Sequence, residues 1–296
     1  MDPEIEALRI VLTARPRPPG LAERRQRLDA LGAHYAIDPD IRLEPVEIRG
    51  LRAEWSTAPA ADPSRVILFL HGGGYISGSI ESHRPLATEI GRAAGARTLA
   101  LEYRRAPEHP FPAAVKDVVA AYRSLLAEGF APSHIAIAGD SAGGGLAIAL
   151  MVAAREQELA QPACGWCISP WVDLEGSGAS ITTKAALDPL IQKDYLAELA
   201  AAYLNGSNPR APLASPLHAD LRGLPPLLIQ VGSAETLLDD AVRLAGAAGA
   251  ADVAVRLEVW PDMIHAWPLF HQQIAAGKHA IVRAAAFIRE TQGNRP

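Results

Sequence analysis

Residues 135–145 read Ile135-Ala136-Ile137-Ala138-Gly139-Asp140-Ser141-Ala142-Gly143-Gly144-Gly145. A short apolar run ends in Gly-x-Ser-x-Gly, and an alanine-rich stretch with helical character follows over Gly145–Glu158. A serine placed where a strand turns abruptly into a helix needs small neighbours on both sides, because the turn leaves no room for side chains. The pattern predicts that the Ser141 hydroxyl stands free at the C-terminal end of its strand. A hydroxyl presented in this way points to nucleophilic attack on carbonyl carbon.

Comparable apolar runs flank this stretch at Val66–Leu70, Thr98–Leu101, Cys164–Ser169, Leu227–Val231 and Val255–Val259. They are short and continuous, as expected for strands buried on both faces. Helical stretches alternate with them at Ala113–Glu128, Asp239–Gly249 and Ile274–Arg289. Within the first, Val115, Val118, Val119, Tyr122, Leu125 and Leu126 recur at three- and four-residue spacing. The alternation predicts an α/β fold: a mostly parallel central sheet with helices on both faces and the strand C-termini along one rim. Arg42 to Trp55 alternates like an antiparallel pair of strands ahead of this rhythm. Helices are expected over residues 1–13 and 21–36, broken by Arg15-Pro16-Arg17-Pro18-Pro19-Gly20. No strand is evident between Asp173 and Leu224, where a helix near Lys193–Leu204 and a loop rich in Asn and Pro suggest an insertion over the rim. The expectation is one domain over 1–296, with a cap drawn from about 1–40 and about 180–215.

A chain of 296 residues can bury about three quarters of its unfolded surface, enough for a full core. The formal net charge is −5, with Lys and Arg spread through the chain, so nucleic acid is not an expected partner. The acidic start Met1-Asp2-Pro3-Glu4-Ile5-Glu6 lacks the apolar region of a secretory signal. No uncharged apolar stretch reaches the roughly 18 residues of a membrane span, and a soluble cytoplasmic protein is expected. Cys164 and Cys167 have the spacing of half a zinc site, but no second pair exists. They read as small apolar residues of a buried strand.

A serine hydroxyl needs a base, and the base needs a carboxylate to orient it. With this type of turn the chain order is serine, acid, histidine. Four histidines follow Ser141: His218, His265, His271 and His279. His265 lies in Pro261-Asp262-Met263-Ile264-His265-Ala266-Trp267, just after a strand and so on the rim, which makes it the candidate base. Glu235 is the first carboxylate beyond Leu227–Val231 and the candidate acid. Asp239 is the alternative, though it and Asp240 would open a helix, where acids often serve only the dipole. Asp262 reads either as a support for His265 or as a solvated loop residue. His71-Gly72-Gly73-Gly74 follows Val66–Leu70 and suits a loop whose N–H groups receive a developing oxyanion, together with the N–H of Ala142. His71 reads as an orienter of this loop rather than a second base. Asp140 is a poor acid for the serine, because adjacent side chains diverge on so sharp a turn.

Taken together, His71-Gly72-Gly73-Gly74-Tyr75, the run Tyr103-Arg104-Arg105-Ala106-Pro107-Glu108-His109-Pro110-Phe111-Pro112-Ala113-Ala114, Gly139-Asp140-Ser141-Ala142-Gly143-Gly144 and Ser169-Pro170-Trp171 resemble the hormone-sensitive-lipase-like family of α/β-hydrolases, the microbial family IV esterases. The resemblance spans about Val66 to Trp267. It implies hydrolysis of carboxylic esters with short acyl chains, without a metal or organic cofactor. It also implies oxyanion donors at Gly73, Gly74 and Ala142, a cap over the site, and a possible homodimer. One position departs from the family pattern: Glu235 stands where the family usually carries Asp. The stretch Gly232 to Asp240 also resembles a subgroup that includes monoterpene lactone hydrolases.

The expected reaction is acyl transfer through Ser141, with a small-molecule ester and water as the partners. Lactone, amide or acetyl-group hydrolysis by the same three residues is the alternative. A non-catalytic receptor, as in plant proteins that resemble this family but lack the histidine, is the remote one. Tyr75, Trp171, Asp188, Leu190, Tyr195 and Leu204 are candidates for lining the substrate pocket.

Overall fold

A computed structural model describes residues 3–293. Eight strands form one sheet: β1 (Arg42–Ile48), β2 (Leu51–Thr57), β3 (Asp62–Leu70), β4 (Ala96–Leu101), β5 (Ile135–Asp140), β6 (Cys164–Ile168), β7 (Leu227–Gly232) and β8 (Val255–Trp260). Their spatial order is β1-β2-β4-β3-β5-β6-β7-β8. β1 and β2 form a hairpin in which Ile48 opposes Leu51. Arg49 and Gly50 between them both have positive φ, 53° and 81°, as a two-residue turn that follows strand twist requires. β2 runs antiparallel to β4, and the strands from β4 to β8 are mutually parallel.

The helices are α1 (Pro3–Thr13), α2 (Leu21–Ala33), α3 (Ile80–Ala94), α4 (Ala113–Ala127), α5 (Ala142–Glu156), the single turn α6 (Ser180–Thr183), α7 (Lys193–Leu204), α8 (Leu238–Ala250) and α9 (Ala275–Gly293). β8, expected from sequence to be buried on both faces, is an edge strand with no fully buried residue, in keeping with Arg256 and Glu258 within it. The central strands β3 to β7 bury both faces and split their side chains between two cores. Val66, Leu68, Leu70, Ile135, Ile137, Leu227, Ile229 and Val231 pack with α4, α5 and α8. Ile67, Phe69, Ala136, Ala138, Trp166, Ile168 and Leu228 pack with α3 and α9. This is the period-two alternation of a pleated strand, with an apolar layer on each side. Cys164 and Cys167 are buried and face opposite cores, and burial pushes the Cys167 thiol up to about 12.

α3 has no counterpart in the sequence reading. Its polar start, Glu81-Ser82-His83-Arg84, and Pro85 inside it hide the apolar face made by Ile80, Leu86 and Ile90. The helix forms because Ser79 and Ser82 cap each other's N–H groups, at 3.0 and 2.8 Å. Pro85 stands in the second turn and removes the one backbone hydrogen bond that its N–H would have made. A third apolar cluster joins Ile5 and Leu8 of α1 to Met263, Ile264, Trp267 and Phe270, so the first helix is seated on the loop that carries His265. No helix among the described residues is long and apolar enough to cross a membrane.

Candidate active site

β5 ends at Asp140 and α5 begins at Ala142, which leaves Ser141 alone between them with φ 54° and ψ −121°. The surroundings enforce this shape. A Cβ on Gly143 would stand 2.0 Å from the Leu70 carbonyl oxygen, so only glycine lets α5 pass beside β3. The backbone of Ser141 is pinned on both sides: its N–H donates to Ile168 O at 2.8 Å, and its carbonyl accepts from Trp171 N at 2.9 Å. Ala142 is the first residue of α5, so its N–H has no partner inside the helix and is free for an incoming oxygen.

The glycine loop follows β3. Gly73 and Gly74 have φ of 113° and 64°, a region closed to most side chains. Asp140 braces this loop: its Oδ1 accepts Gly72 N–H at 2.9 Å, and its Oδ2 lies 3.2 Å from His83 Nε2. Ser82 Oγ sits 2.7 Å from the other ring nitrogen of His83. Burial disfavours the Asp140 charge, but His83, with help from His265 and His71, more than offsets it and holds the carboxyl below its usual range. His71 stacks on Tyr103 with ring centres 4.2 Å apart, and its Nδ1 lies 2.8 Å from Gly72 O. Burial, with the nearby His83, depresses His71 to about 3, so it is neutral and suited to shaping the loop rather than carrying a proton. His83 was not among the candidates from sequence, because its helix was not recognised there.

On the neighbouring strand end, Gly232 approaches so closely that a Cβ would stand 2.0 Å from Met263 O. That contact brings the loop after β7 against the loop after β8. Glu235, fully buried, places Oε2 3.2 Å from His265 Nδ1, and Gly232 N–H donates to its Oε1 at 3.3 Å. Burial alone would lower the His265 pKa. The Glu235 carboxylate at hydrogen-bond distance, helped by Asp188 and Asp140, outweighs it and raises the imidazole above its ordinary value. Asp239 is turned elsewhere: its Oδ2 accepts Ser180 N–H at 2.9 Å. Asp240 accepts the Val172 and Asp173 N–H groups at 2.9 and 3.0 Å. The backbone of Asp262 is tied to Arg9 and to the Ser233 hydroxyl. Of the other histidines, His218 lies 3.9 Å from Asp173 and from Glu175, His271 bonds Pro268 O, and His279 is exposed on α9.

Ser169 has a role that its motif alone did not show. It has φ 45°, its hydroxyl accepts Ala266 N–H at 3.0 Å, and it favours the charged form of the buried Glu235 carboxylate. It therefore holds the residue after His265 in place. The signal available in the sequence was its place, the first residue beyond an apolar strand.

Ser141, His265, Gly73 and Gly74 all face one cavity of about 450 Å³. Its walls are largely apolar, with Leu8 and Leu12 of α1, Leu28 and Leu31 of α2, and Leu196 and Leu199 of α7. Of the six pocket candidates, Trp171, Leu190 and Tyr195 line it. The other three do not, and each has a structural task. Tyr75 stacks flat on Tyr203, with ring centres 3.8 Å apart. Leu204 belongs to the main core. Asp188 is buried, and its carboxylate accepts the N–H groups of Leu190, Ile191 and Thr236 at 2.9 to 3.0 Å. Asp173, Glu175 and His218 bring ligand-type atoms within 4.8 Å of one another, but Arg243 already takes Asp173 at 2.9 Å and Arg210 takes Glu175 at 3.4 Å.

Residues 67–269 match the family described as the alpha/beta hydrolase fold. The chain is 52% identical to an acetyl-hydrolase of Streptomyces hygroscopicus over 241 residues, 81% of this chain and 80% of the relative. It is 34% identical to an esterase of Acinetobacter venetianus over 264 residues, 89% and 87% of the two chains. Among solved structures, an esterase of the bacterial hormone-sensitive lipase family is 48% identical and superposes with a TM-score of 0.96, covering 99% of both chains.

Proposed function

Because this chain belongs to the bacterial hormone-sensitive lipase family of α/β-hydrolases, and is an ester-hydrolysing enzyme, we propose that it cleaves short- to medium-chain carboxylic esters through Ser141, His265 and Glu235. The observation that carries this reading is the buried Glu235–His265 hydrogen bond, on the rim of the cavity that Ser141 faces. His265 takes the Ser141 proton as the hydroxyl oxygen bonds to the ester carbon. The imidazolium so formed is stabilised by Glu235, which also fixes the tautomer by accepting from Nδ1. The N–H groups of Gly73, Gly74 and Ala142 receive the negative oxygen in a site that is largely closed to water, where such bonds act most strongly. His265 then returns the proton to the departing alcohol oxygen. Water, deprotonated by the same imidazole, attacks the acyl-serine, and the imidazolium returns that proton to Ser141 Oγ as the acid leaves.

A cavity of this size with an apolar wall and few polar groups suits a small ligand. The acetyl-hydrolase name of the Streptomyces relative supports the short end of the acyl range. The test is Ser141→Ala, assayed on 4-nitrophenyl esters from acetyl to dodecanoyl. Turnover is expected to fall on the order of 10⁶-fold, with the wild type fastest on short to medium chains. Residual activity above about a hundredth of wild type in a pure sample, or fastest hydrolysis of the longest chain, refutes the reading.

A further inference from the structure

We propose that the arginines at the mouth of the cavity select esters carrying an anionic group remote from the scissile bond. This rests on the esterase reading above and names a substrate class for it. The chain as a whole is acidic, with a formal charge of −5, yet residues 15–27 hold Arg15, Arg17, Arg24, Arg25 and Arg27 against the single acid Glu23. Four of these arginines, Arg15, Arg17, Arg24 and Arg27, line the same cavity as Ser141. Among the described residues that line it, the one carboxylate is Asp140, already engaged by Gly72 and His83.

The arginines are not equally compensated. Arg24 is paired with Glu198 at 2.6 Å, and Arg17 lies over the Tyr195 ring with Asp194 at 3.7 Å. Arg27 spends its terminal nitrogens on the carbonyls of Pro16 and Arg15, at 2.6 and 2.7 Å. Those acceptors are neutral, so its charge stays uncancelled while its position is held. The same bonds anchor the proline-rich segment that carries Arg15, an exposed residue at the mouth. Among the described residues, therefore, two cations without a carboxylate partner stand at the opening of a cleft with apolar walls. Such walls focus the field and raise the local concentration of an anionic substrate. The net effect favours a carboxylate or similar anion at the outer end of the substrate, with the ester at Ser141.

The test compares kcat/KM within two pairs. On the alcohol side, 4-acetoxybenzoate is anionic and 4-acetoxybenzamide is its neutral counterpart. On the acyl side, 4-nitrophenyl hydrogen adipate is anionic and 4-nitrophenyl hexanoate neutral. At low salt the anionic member of at least one pair is expected to be preferred, with the preference shrinking at about 0.5 M salt as screening sets in. Arg15→Gln should lower kcat/KM for the anionic substrate by up to about fivefold relative to its neutral counterpart, the scale of one exposed charge pair. Arg15→Lys should retain the preference. Preference for the neutral member in both pairs, or equal losses on both members in Arg15→Gln, overturns the proposal. So does arginine-dependent binding to phosphatidylglycerol vesicles without any preference within the pairs, which would assign the charges to a membrane surface. Failure to hydrolyse any of the four esters would instead remove the esterase reading itself.

Discussion

Glu235→Gln isolates the carboxylate charge while keeping the shape of the side chain. In the wild type, Oε2 lies 3.2 Å from His265 Nδ1 in a fully buried setting. A charge pair at about 4 Å between centres is worth roughly 4 kcal/mol at an effective dielectric near 20. That stabilisation is realised when the imidazole becomes charged, which is in the transition state. Its loss corresponds to a fall of about 10³ in turnover, since each 1.36 kcal/mol is tenfold. The amide can still accept from Gly232 N–H, so the fold should persist. The pH profile provides an independent sign. Glu235 raises the His265 pKa, so the acidic limb of kcat/KM in the wild type lies above the ordinary histidine value, and it should move to lower pH in the variant. The assay is hydrolysis of 4-nitrophenyl acetate from about pH 5 to 9, with a melting curve as a control for folding. Asp239→Ala is the companion: it removes the acceptor of the Ser180 N–H and leaves His265 untouched. Glu235→Gln within tenfold of wild type, an upward shift of the acidic limb, or a dead Asp239→Ala beside an active Glu235→Gln would refute the assignment.

Other outcomes follow from the same geometry. Ser169→Ala leaves the buried Ala266 N–H without its acceptor, at a cost of about 1–3 kcal/mol in stability, read as a lower denaturant midpoint. Its kcat should fall about tenfold with KM little changed, because the base is misplaced and the pocket is not. An unaltered kcat would show that the Glu235–His265 pair holds itself in place. His71 is depressed to about 3, so the folded form excludes a proton that the unfolded chain binds below about pH 6.5. This term destabilises the fold progressively as pH falls from about 6.5 towards 3, by up to about 1.4 kcal/mol per pH unit. His71→Phe keeps a ring against Tyr103 but cannot titrate, so its stability should fall less steeply over that window. An unchanged slope would mean that His71 accepts its proton without opening the loop.

Much of the scaffold was legible in the chain because its signals are local. The buried parallel strands are short, largely apolar runs, and the small residues around Ser141 announce a turn that larger ones could not make. The order serine, acid, histidine then narrowed four histidines to the one in a loop beyond a strand. What local pattern could not supply was distance between segments far apart in number. Glu235 and Asp239 are four residues apart and chemically alike; only the packing of Gly232 on Met263 turns the first toward His265 and leaves the second to Ser180. Tyr75, Asp188 and Leu204 look like pocket residues by type and location, yet ring stacking, backbone capping and the core claim them. α3 was hidden because its apolar face is interrupted by polar residues whose value lies in tertiary contacts, with His83 reaching across to Asp140. Composition and spacing thus settle the elements whose signal depends on neighbours along the chain, which is most of them, α3 excepted. Convergence of side chains on one point belongs to the tertiary structure, since it depends on which carbonyls, rings and charges the fold brings within a few ångströms.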